Sequence, residues 1–199
     1  MDDFNRSCPF TRFTRDLLAL TALNQPIYHL QHQSGFNINI IFYLLWMAKA
    51  RYGRLSKRDV KMLQGQVMLW HQRVIAELKY THALLADHSD PFALEIKHAL
   101  QEEIIKAHVI EQHMLYESQI KTHVLRRTPL QQIADASASM MHYCELKNDL
   151  IMDEDQVAFI QLFSAVFDGV EKNDIEKPLM QSFDRLRMNQ PAQMMWEEF

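Results

Sequence analysis

Apolar residues recur every three or four positions along much of this chain, which is the spacing of amphipathic helices. The longest regular stripe consists of Val60, Leu63, Val67, Trp70, Val74, Leu78, Thr81 and Leu85. Ser56 and Asp59, just before it, resemble a capping box in which Asp replaces the usual Glu. The pattern predicts a helix of about 28 residues that begins after Ser56.

Turn residues set the other helix boundaries. The predicted helices cover about residues 11–23, 26–33, 38–52, 91–125, 129–147, 153–168 and 174–188. Asp90-Pro91 and Thr128-Pro129 each combine a cap with a Pro at the first helical position, and Asp153 with Gln156 marks another start. Because only a short turn at 87–91 separates the two longest helices, we expect them to form an antiparallel αα-hairpin.

The segment from Ile38 to Ala48 is densely apolar, and Asn39 is its one strongly polar residue. It is too short to cross a bilayer, which takes roughly 20 apolar residues, and too apolar on every face for a surface helix. We expect Asn37 to be its N-cap. These features predict an all-α fold, a multi-helix bundle around a buried apolar helix with the long hairpin.

Composition and charge favour a helical protein and argue against a nucleic-acid-binding one. The chain has 199 residues, 4 Gly and 12 Met, which favours helices, and its net charge of −4 argues against nucleic acid as the main partner. The basic cluster between residues 49 and 61 is expected to be a solvated helix end. Cys8 and Cys144 do not make a disulfide framework, and no signal-like or membrane-spanning segment is present. We therefore predict a cytoplasmic protein without a membrane span.

The chain is predicted to have two parts. Residues 1–120 form a helical domain, and residues 121–199 form a helical C-terminal extension packed on it and ending in an aromatic tail. The apolar residues of that tail are Met194, Met195, Trp196 and Phe199. Such residues are unfavourable in water unless something covers them. The tail either folds back on its own domain or docks on a partner protein.

Ten His residues require that a metal site be considered. Di-iron helical bundles use two Glu-x-x-His motifs, whereas Glu95-x-x-His98 is the one such spacing in this chain. A metal set would combine Glu103, His108 and Glu111 with a His or Glu of the preceding helix. We expect these residues instead to form hydrogen bonds across the hairpin, and we predict no metal, no cofactor and no catalytic residue.

A group of motifs between residues 13 and 118 resembles an uncharacterised bacterial family, domain of unknown function 2390. The motifs are Leu30-Gln31, Gly35-x-Asn37-Ile38-Asn39, the apolar run ending at Trp46, Trp70, and Leu78-Lys79. Asn37 stands where the family usually has Asp, and Lys79 where it usually has Arg. The resemblance covers about half of the chain and implies an all-helical cytoplasmic domain with no known reaction.

The family pattern draws attention to four residues of this chain. We expect Gln31 and Asn39 to be structural polar residues of the core, because a buried amide must be hydrogen-bonded. Trp46 and Trp70 are expected to fill the core. The alternative is a small polar pocket between these helices.

These observations favour a non-catalytic helical protein that binds other proteins, either an adaptor or an assembly subunit of a larger complex. The alternative is a metal-dependent helical-bundle enzyme that uses the Glu and His residues of the 91–125 helix. A weaker third hypothesis is a small-ligand pocket near Asn39. Homo-oligomerisation and the identity of the protein partner are left open by the sequence.

Overall fold

The structure is a computed structural model that describes residues 8–121, 123–147 and 151–189, with side chains as far as residue 187. Within these ranges all regular secondary structure is helical, which confirms the predicted all-α class. None of the helices in the described ranges combines the length and the apolar character needed to cross a membrane.

The chain forms α-helices linked by short turns. In chain order they are α1 (Pro9–Leu18), α2 (Asn24–Tyr28), α3 (Ile38–Lys49), α4 (Lys57–Trp70), α5 (Ala76–Leu84), α6 (Pro91–Glu117), α7 (Pro129–Lys147), α8 (Asp153–Val166) and α9 (Lys172–Asn189). A 3₁₀ turn at Thr21–Leu23 precedes α2, and π-helical turns at His29–Gln33 and His71–Ile75 follow α2 and α4.

Several helices begin at the caps that the sequence predicts. Ser56 accepts a hydrogen bond from the backbone N–H of Asp59, and the Asp59 carboxylate accepts one from the N–H of Ser56, so the capping box is complete. Asp90 accepts hydrogen bonds from the first turn of α6. Asn37 does the same for α3. Each cap satisfies backbone donors that have no partner inside the helix.

The predicted first helix, residues 11–23, is wrong in its extent. Helix α1 ends at Leu18, and the chain changes direction at Leu20, whose backbone is extended with φ −82° and ψ 101°. This change of direction buries Leu23 in the core and leaves Leu20 44% exposed. Gln25 and Pro26 lie inside α2 instead of marking its start.

The predicted helix of about 28 residues is present but is not uniformly α-helical. Helices α4 and α5 form its two ends, and the π-helical turn His71–Ile75 joins them. A π turn takes one more residue per hydrogen-bonded turn than an α-helix. The side chains beyond it are shifted by that residue, so Ile75 is fully buried where the stripe predicts Val74.

The end of α6 and the capping residue of α8 also differ from the prediction. Helix α6 ends at Glu117 instead of near residue 125, because the hydroxyl of Ser118 donates to the carbonyl of Leu115 and Gln119 takes a left-handed conformation with φ 47°. Helix α8 begins after Met152, whose N–H donates to Asp155, so the capping carboxylate is Asp155 and not Asp153 paired with Gln156.

The apolar helix α3 lies inside the core. Every residue from Ile38 to Ala48 is buried, and α3 packs against α1, α6, α7 and α8. One continuous apolar cluster includes residues on both sides of residue 120, among them Leu45 and Met140. The proposed division of the chain at residue 120 stays a prediction.

Residues 76–103, which we call the arm, contribute no buried side chain. The arm comprises α5, the turn that follows it and the first half of α6. The first buried residue beyond it is Ile104. Helices α5 and α6 contact each other. Along α6, side chains are therefore buried only from Ile104 onward.

Candidate functional site

A buried carboxylate, Glu111, is the centre of the most extensive polar cluster in the described core. Its side chain is 0% exposed. Oε1 accepts hydrogen bonds from Nδ2 of Asn37 at 3.0 Å and from Nδ1 of His71 at 2.9 Å. Oε2 accepts one from Nδ2 of Asn39 at 2.6 Å. We call Asn37, Asn39, His71, His108, Glu111 and Gln112 the Glu111 cluster.

Three separate segments bring these groups together. Asn37 caps α3 with its Oδ1, which leaves its Nδ2 free to turn inward to Glu111. His71 is the first residue of the π-helical turn after α4. Asn39 reaches α6, where its Oδ1 accepts from Nε2 of Gln112 at 3.0 Å. All the polar atoms of the Asn39 amide are thereby used, as burial requires.

The contacts of the two His rings fix where their protons lie. Nδ1 of His71 lies 2.9 Å from Oε1 of Glu111 and 3.1 Å from Nδ2 of Asn37; we assign the proton to this Nδ1 because the carboxylate is the closer group and can only accept. Nδ1 of His108 lies 3.0 Å from the amide nitrogen Nδ2 of Asn39, which can only donate, so this Nδ1 accepts. Neutral His108 therefore carries its proton on Nε2.

Burial lowers the pKa of His108 to about 4, and Lys79 acts in the same direction while Glu111 opposes it. Burial also lowers the pKa of Lys79, and the nearby Glu111 counteracts that effect. His108 is thus neutral at pH 7.

A cavity of about 350 Å³ lies beside the cluster, between α1, α2, α3 and α6. We call it the α1–α6 pocket. Its apolar wall is formed by Leu18, Ile27, Ile38, Phe42, Ile105 and Val109. Its polar side chains are Thr11, Thr14, Arg15, Gln31, Asn39, His108 and Gln112. Asn39, His108 and Gln112 belong to both the cluster and the pocket.

The structure places the four residues of the family pattern as follows. Gln31 is half-buried on the wall of the α1–α6 pocket, and Asn39 lies in the Glu111 cluster. Trp46 is buried at the end of α3, with its ring against Phe10. Trp70 is half-buried, and its Nε1–H donates to the carbonyl of Ala107 at 3.0 Å.

The alternative metal set is not brought together. Glu103 is exposed and forms an ion pair with Lys106 at 2.6 Å. It lies eight residues from Glu111, about 12 Å along the helix. Among the described residues, no group of three or more His, Cys, Asp or Glu is arranged to hold a metal ion. His108 and Glu111 do meet, but through the amide of Asn39.

The tail residues Met194, Met195, Trp196 and Phe199 lie outside the described residues. Their predicted role in partner binding stays a prediction.

Sequence reasoning missed most partners of Glu111. A charged residue within the apolar stripe of α6 is a signal for a buried hydrogen-bonded carboxylate, and it selected Glu111. Nothing in the spacing of the chain selects Asn37 as a partner of Glu111, or Gln112 as a partner of Asn39. A second buried carboxylate, Asp155, was also missed; it accepts a hydrogen bond from Nε2 of His29 at 2.8 Å and one from the hydroxyl of Ser34.

Comparison with protein-family models places the chain in a family, whereas comparison with individual proteins does not. No curated protein and no solved structure matches this chain. The model of a family described as a protein of unknown function (DUF2390) matches residues 12–117, which hold α3 to α6 and every member of the Glu111 cluster. That segment is more than half of the chain, and the protein therefore belongs to the DUF2390 family.

Proposed function

We propose that this chain is a non-catalytic helical interaction protein, an adaptor or assembly subunit that binds a protein partner through the arm at residues 76–103. The observation that carries the proposal is that the arm buries none of its own side chains and yet exposes large apolar ones. Contiguous exposed apolar surface of this kind is typical of interaction sites.

The exposed apolar residues of the arm share helix faces. Phe92 and Ile96 are four residues apart on α6 and are 75% and 54% exposed. Tyr80 and Leu84 have the same spacing on α5 and are also exposed. Residues four apart lie on one face of a helix, so each pair presents a continuous apolar strip. Such pairs are typical anchors for a partner helix or groove.

The charge of the arm indicates the chemistry of its partner. Between residues 76 and 103 the sequence has Glu77, Asp87, Asp90, Glu95, Glu102 and Glu103 against Lys79 and Lys97. Six acids and two bases leave a charge of −4 on the arm. A partner with an apolar surface bordered by Lys or Arg complements it better than a second copy of this chain would.

The cluster supports a structural, non-catalytic role for Glu111. Both of its carboxylate oxygens are occupied by hydrogen bonds from Asn37, Asn39 and His71. A carboxylate held in this way ties α3 and α4 to α6. These hydrogen bonds hold in place the helices from which the arm extends.

We further infer that α4, α5 and α6 form the antiparallel hairpin predicted from the sequence. Two contacts support this: Nε2 of Gln66 donates to the carbonyl of Met114, and Nε1 of Trp70 donates to that of Ala107. Residue numbers rise on one helix while they fall on the other. The cytoplasmic location also stays a proposal, supported by the free, buried thiols of Cys8 and Cys144.

Paired substitutions test the proposed partner surface. Tagged protein is isolated from its natural host as wild type, as Phe92→Ser with Ile96→Ser, and as Met62→Ser with Leu69→Ser, and the co-purifying proteins are quantified by isotope-labelled mass spectrometry. Met62 and Leu69 are the matched control because they are similarly exposed but lie on α4, outside the arm. We expect one stoichiometric partner that the arm variant loses by about tenfold or more and the control retains.

Equal recovery of the partner by both variants, or no stoichiometric partner for the wild type, contradicts the proposal. Deletion of residues 190–199 in the same experiment separates the arm from the tail. Loss of the partner on that deletion alone assigns binding to the tail and not to the arm.

A further inference from the structure

The α1–α6 pocket has the size and lining of a small-molecule site. Its volume is about 350 Å³. Ligand pockets usually occupy about 300–1,000 Å³, are mostly apolar and carry a few polar groups that orient the ligand. This pocket fits the lower end of that range, and most of its lining surface is apolar although seven of the lining residues are polar.

Two buried hydroxyls at the pocket have no partner. Thr11 and Thr14 are 4% and 1% exposed, lie three residues apart on α1, and both line the pocket. Neither Oγ1 atom forms a hydrogen bond in the described part of the chain. A buried hydroxyl without a partner is costly, so its presence calls for an explanation.

Further donors at the pocket are also unused. Nε2 of His108 carries the proton, since its Nδ1 accepts from Asn39, and among the described residues this N–H has no acceptor. The amide of Gln31 likewise forms no hydrogen bond with the described residues. These unused donors come from α6 and from the π-helical turn after α2, and a ligand that brings an oxygen acceptor into the cavity would satisfy them.

The one charged side chain among the pocket-lining residues is cationic. Arg15 lines the cavity from α1, and its pair with the neighbouring Asp16 is exposed and 3.9 Å long. Such a pair contributes little, so the guanidinium is available to an anion. Glu111 is close to His108, but its two oxygens are already occupied by hydrogen bonds from the cluster.

We propose that the α1–α6 pocket binds a small monocarboxylate with an apolar chain or ring. The apolar body packs against Leu18, Ile27 and Phe42, and the carboxylate is held by Arg15, Gln31 and Nε2 of His108. This site is separate from the arm and does not depend on the function proposed for the arm.

Calorimetric titration of the full chain tests the proposal. The probes are octanoate and 4-phenylbutanoate, with octan-1-ol and octylammonium as neutral and cationic comparisons. We expect saturable binding of both acids, about tenfold or more tighter than binding of the alcohol or the amine.

Matched variants locate the site. Ile105→Trp fills the cavity from an exposed position on its wall and is expected to weaken acid binding by about tenfold or more. Ile110→Trp, also exposed on α6 but not lining the pocket, is expected to leave acid binding unchanged. Arg15→Gln is expected to remove the preference for acid over alcohol. Circular dichroism and thermal melting confirm that each variant is folded.

Three results overturn the proposal. They are a wild-type chain that binds neither acid saturably below about 10 mM, acid binding that folded Ile105→Trp leaves intact, and equal affinity for acid, alcohol and amine. The last two mean that the probes bind elsewhere or through apolar contact alone.

Discussion

Glu111 shows how one buried charge can organise several segments. Glu111→Gln replaces one acceptor oxygen with an NH₂ group that faces donors from Asn37, Asn39 or His71. We expect it to lower the free energy of unfolding by about 2–4 kcal/mol, because a buried donor then meets another donor. Urea unfolding at pH 7 measures the change.

Glu103→Gln is the matched control for that substitution. Glu103 is on the same helix but exposed, and its exposed ion pair with Lys106 contributes little. We expect a change within about 0.5 kcal/mol. Equal effects of the two substitutions would show that the Glu111 cluster is not a stabilising centre.

His108 makes the stability of the fold depend on pH. Its pKa in the folded chain is lowered to about 4, whereas an unfolded His titrates near 6.5. As pH falls through that window the unfolded state binds the proton first, so the free energy of unfolding decreases. We expect His108 to account for a decrease on the order of 2 kcal/mol between about pH 6.5 and 4.

Substitution of His108 by Asn tests this. The Asn side chain offers an acceptor oxygen near the position of Nδ1 but does not titrate, so the stability of His108→Asn should fall less than that of the wild type over the same pH range. His98→Asn is the control, because His98 lies on the same helix and is exposed. If the free energy of unfolding falls equally with pH in the wild type and in His108→Asn, His108 is not the source of the pH dependence.

For single residues, the sequence predicts which side chains are buried better than it predicts their hydrogen-bond partners. Periodicity places Glu111 on the inward face of its helix, and the apolar surroundings of Asn39 indicate its burial. The hydrogen bond between these two residues forms because α3 packs against α6. Asn37 caps α3 and also donates to Glu111, and its neighbours in the sequence do not predict that second hydrogen bond.

Helices α4 and α5 and the turn between them show what helical periodicity leaves out. The turn His71–Ile75 has the same residue types as an α-helix, so nothing in its composition marks the wider turn. The wider turn decides that Ile75 and not Val74 is fully buried. Caps such as Ser56 and Asp90 were predictable because they depend on residues three or fewer positions away.

Unequal burial along α6 predicts unequal stability. Residues 91–103 bury no side chain, whereas Ile104, Ala107, Glu111 and Leu115 are buried. Local opening is easiest where few apolar contacts must be broken. We expect amide hydrogen exchange to be at least about tenfold faster in 91–103 than in 104–117.

Exchange measured by mass spectrometry on overlapping peptides provides the test. Peptides from α3 serve as the internal reference for full protection, because every residue from Ile38 to Ala48 is buried. Uniform protection along α6 would mean that the arm is covered by something other than solvent in the isolated protein.

In the molecule as a whole, hydrogen bonds join α7 to the segment that matches the family. The N–H of Asn37 donates to the hydroxyl of Tyr143, and the N–H of Leu55 donates to Oγ of Ser139. The carbonyl of Leu55 accepts from Nδ1 of His142. Unpaired buried backbone groups are costly, so these bonds join the two predicted parts of the chain.

We therefore expect one cooperative unfolding transition for the full chain. Tryptophan fluorescence and circular dichroism should give the same urea midpoint. A chain ending at residue 127 should lose that sharp transition, because α7 no longer covers α3 and α4. Two separated transitions in the full chain would show that residues 1–120 and 121–199 fold independently.

Site-specific photo-crosslinking in the natural host tests whether the arm contacts a partner protein. A benzophenone amino acid is placed at position 92 or 96 on the arm, or at position 69 on α4, where Leu69 is 68% exposed. We expect positions 92 and 96 to crosslink to one protein, at an apolar segment bordered by Lys or Arg, and position 69 not to crosslink to it. Crosslinking no stronger at 92 and 96 than at 69, or crosslinking only to a second copy of this chain, contradicts this expectation.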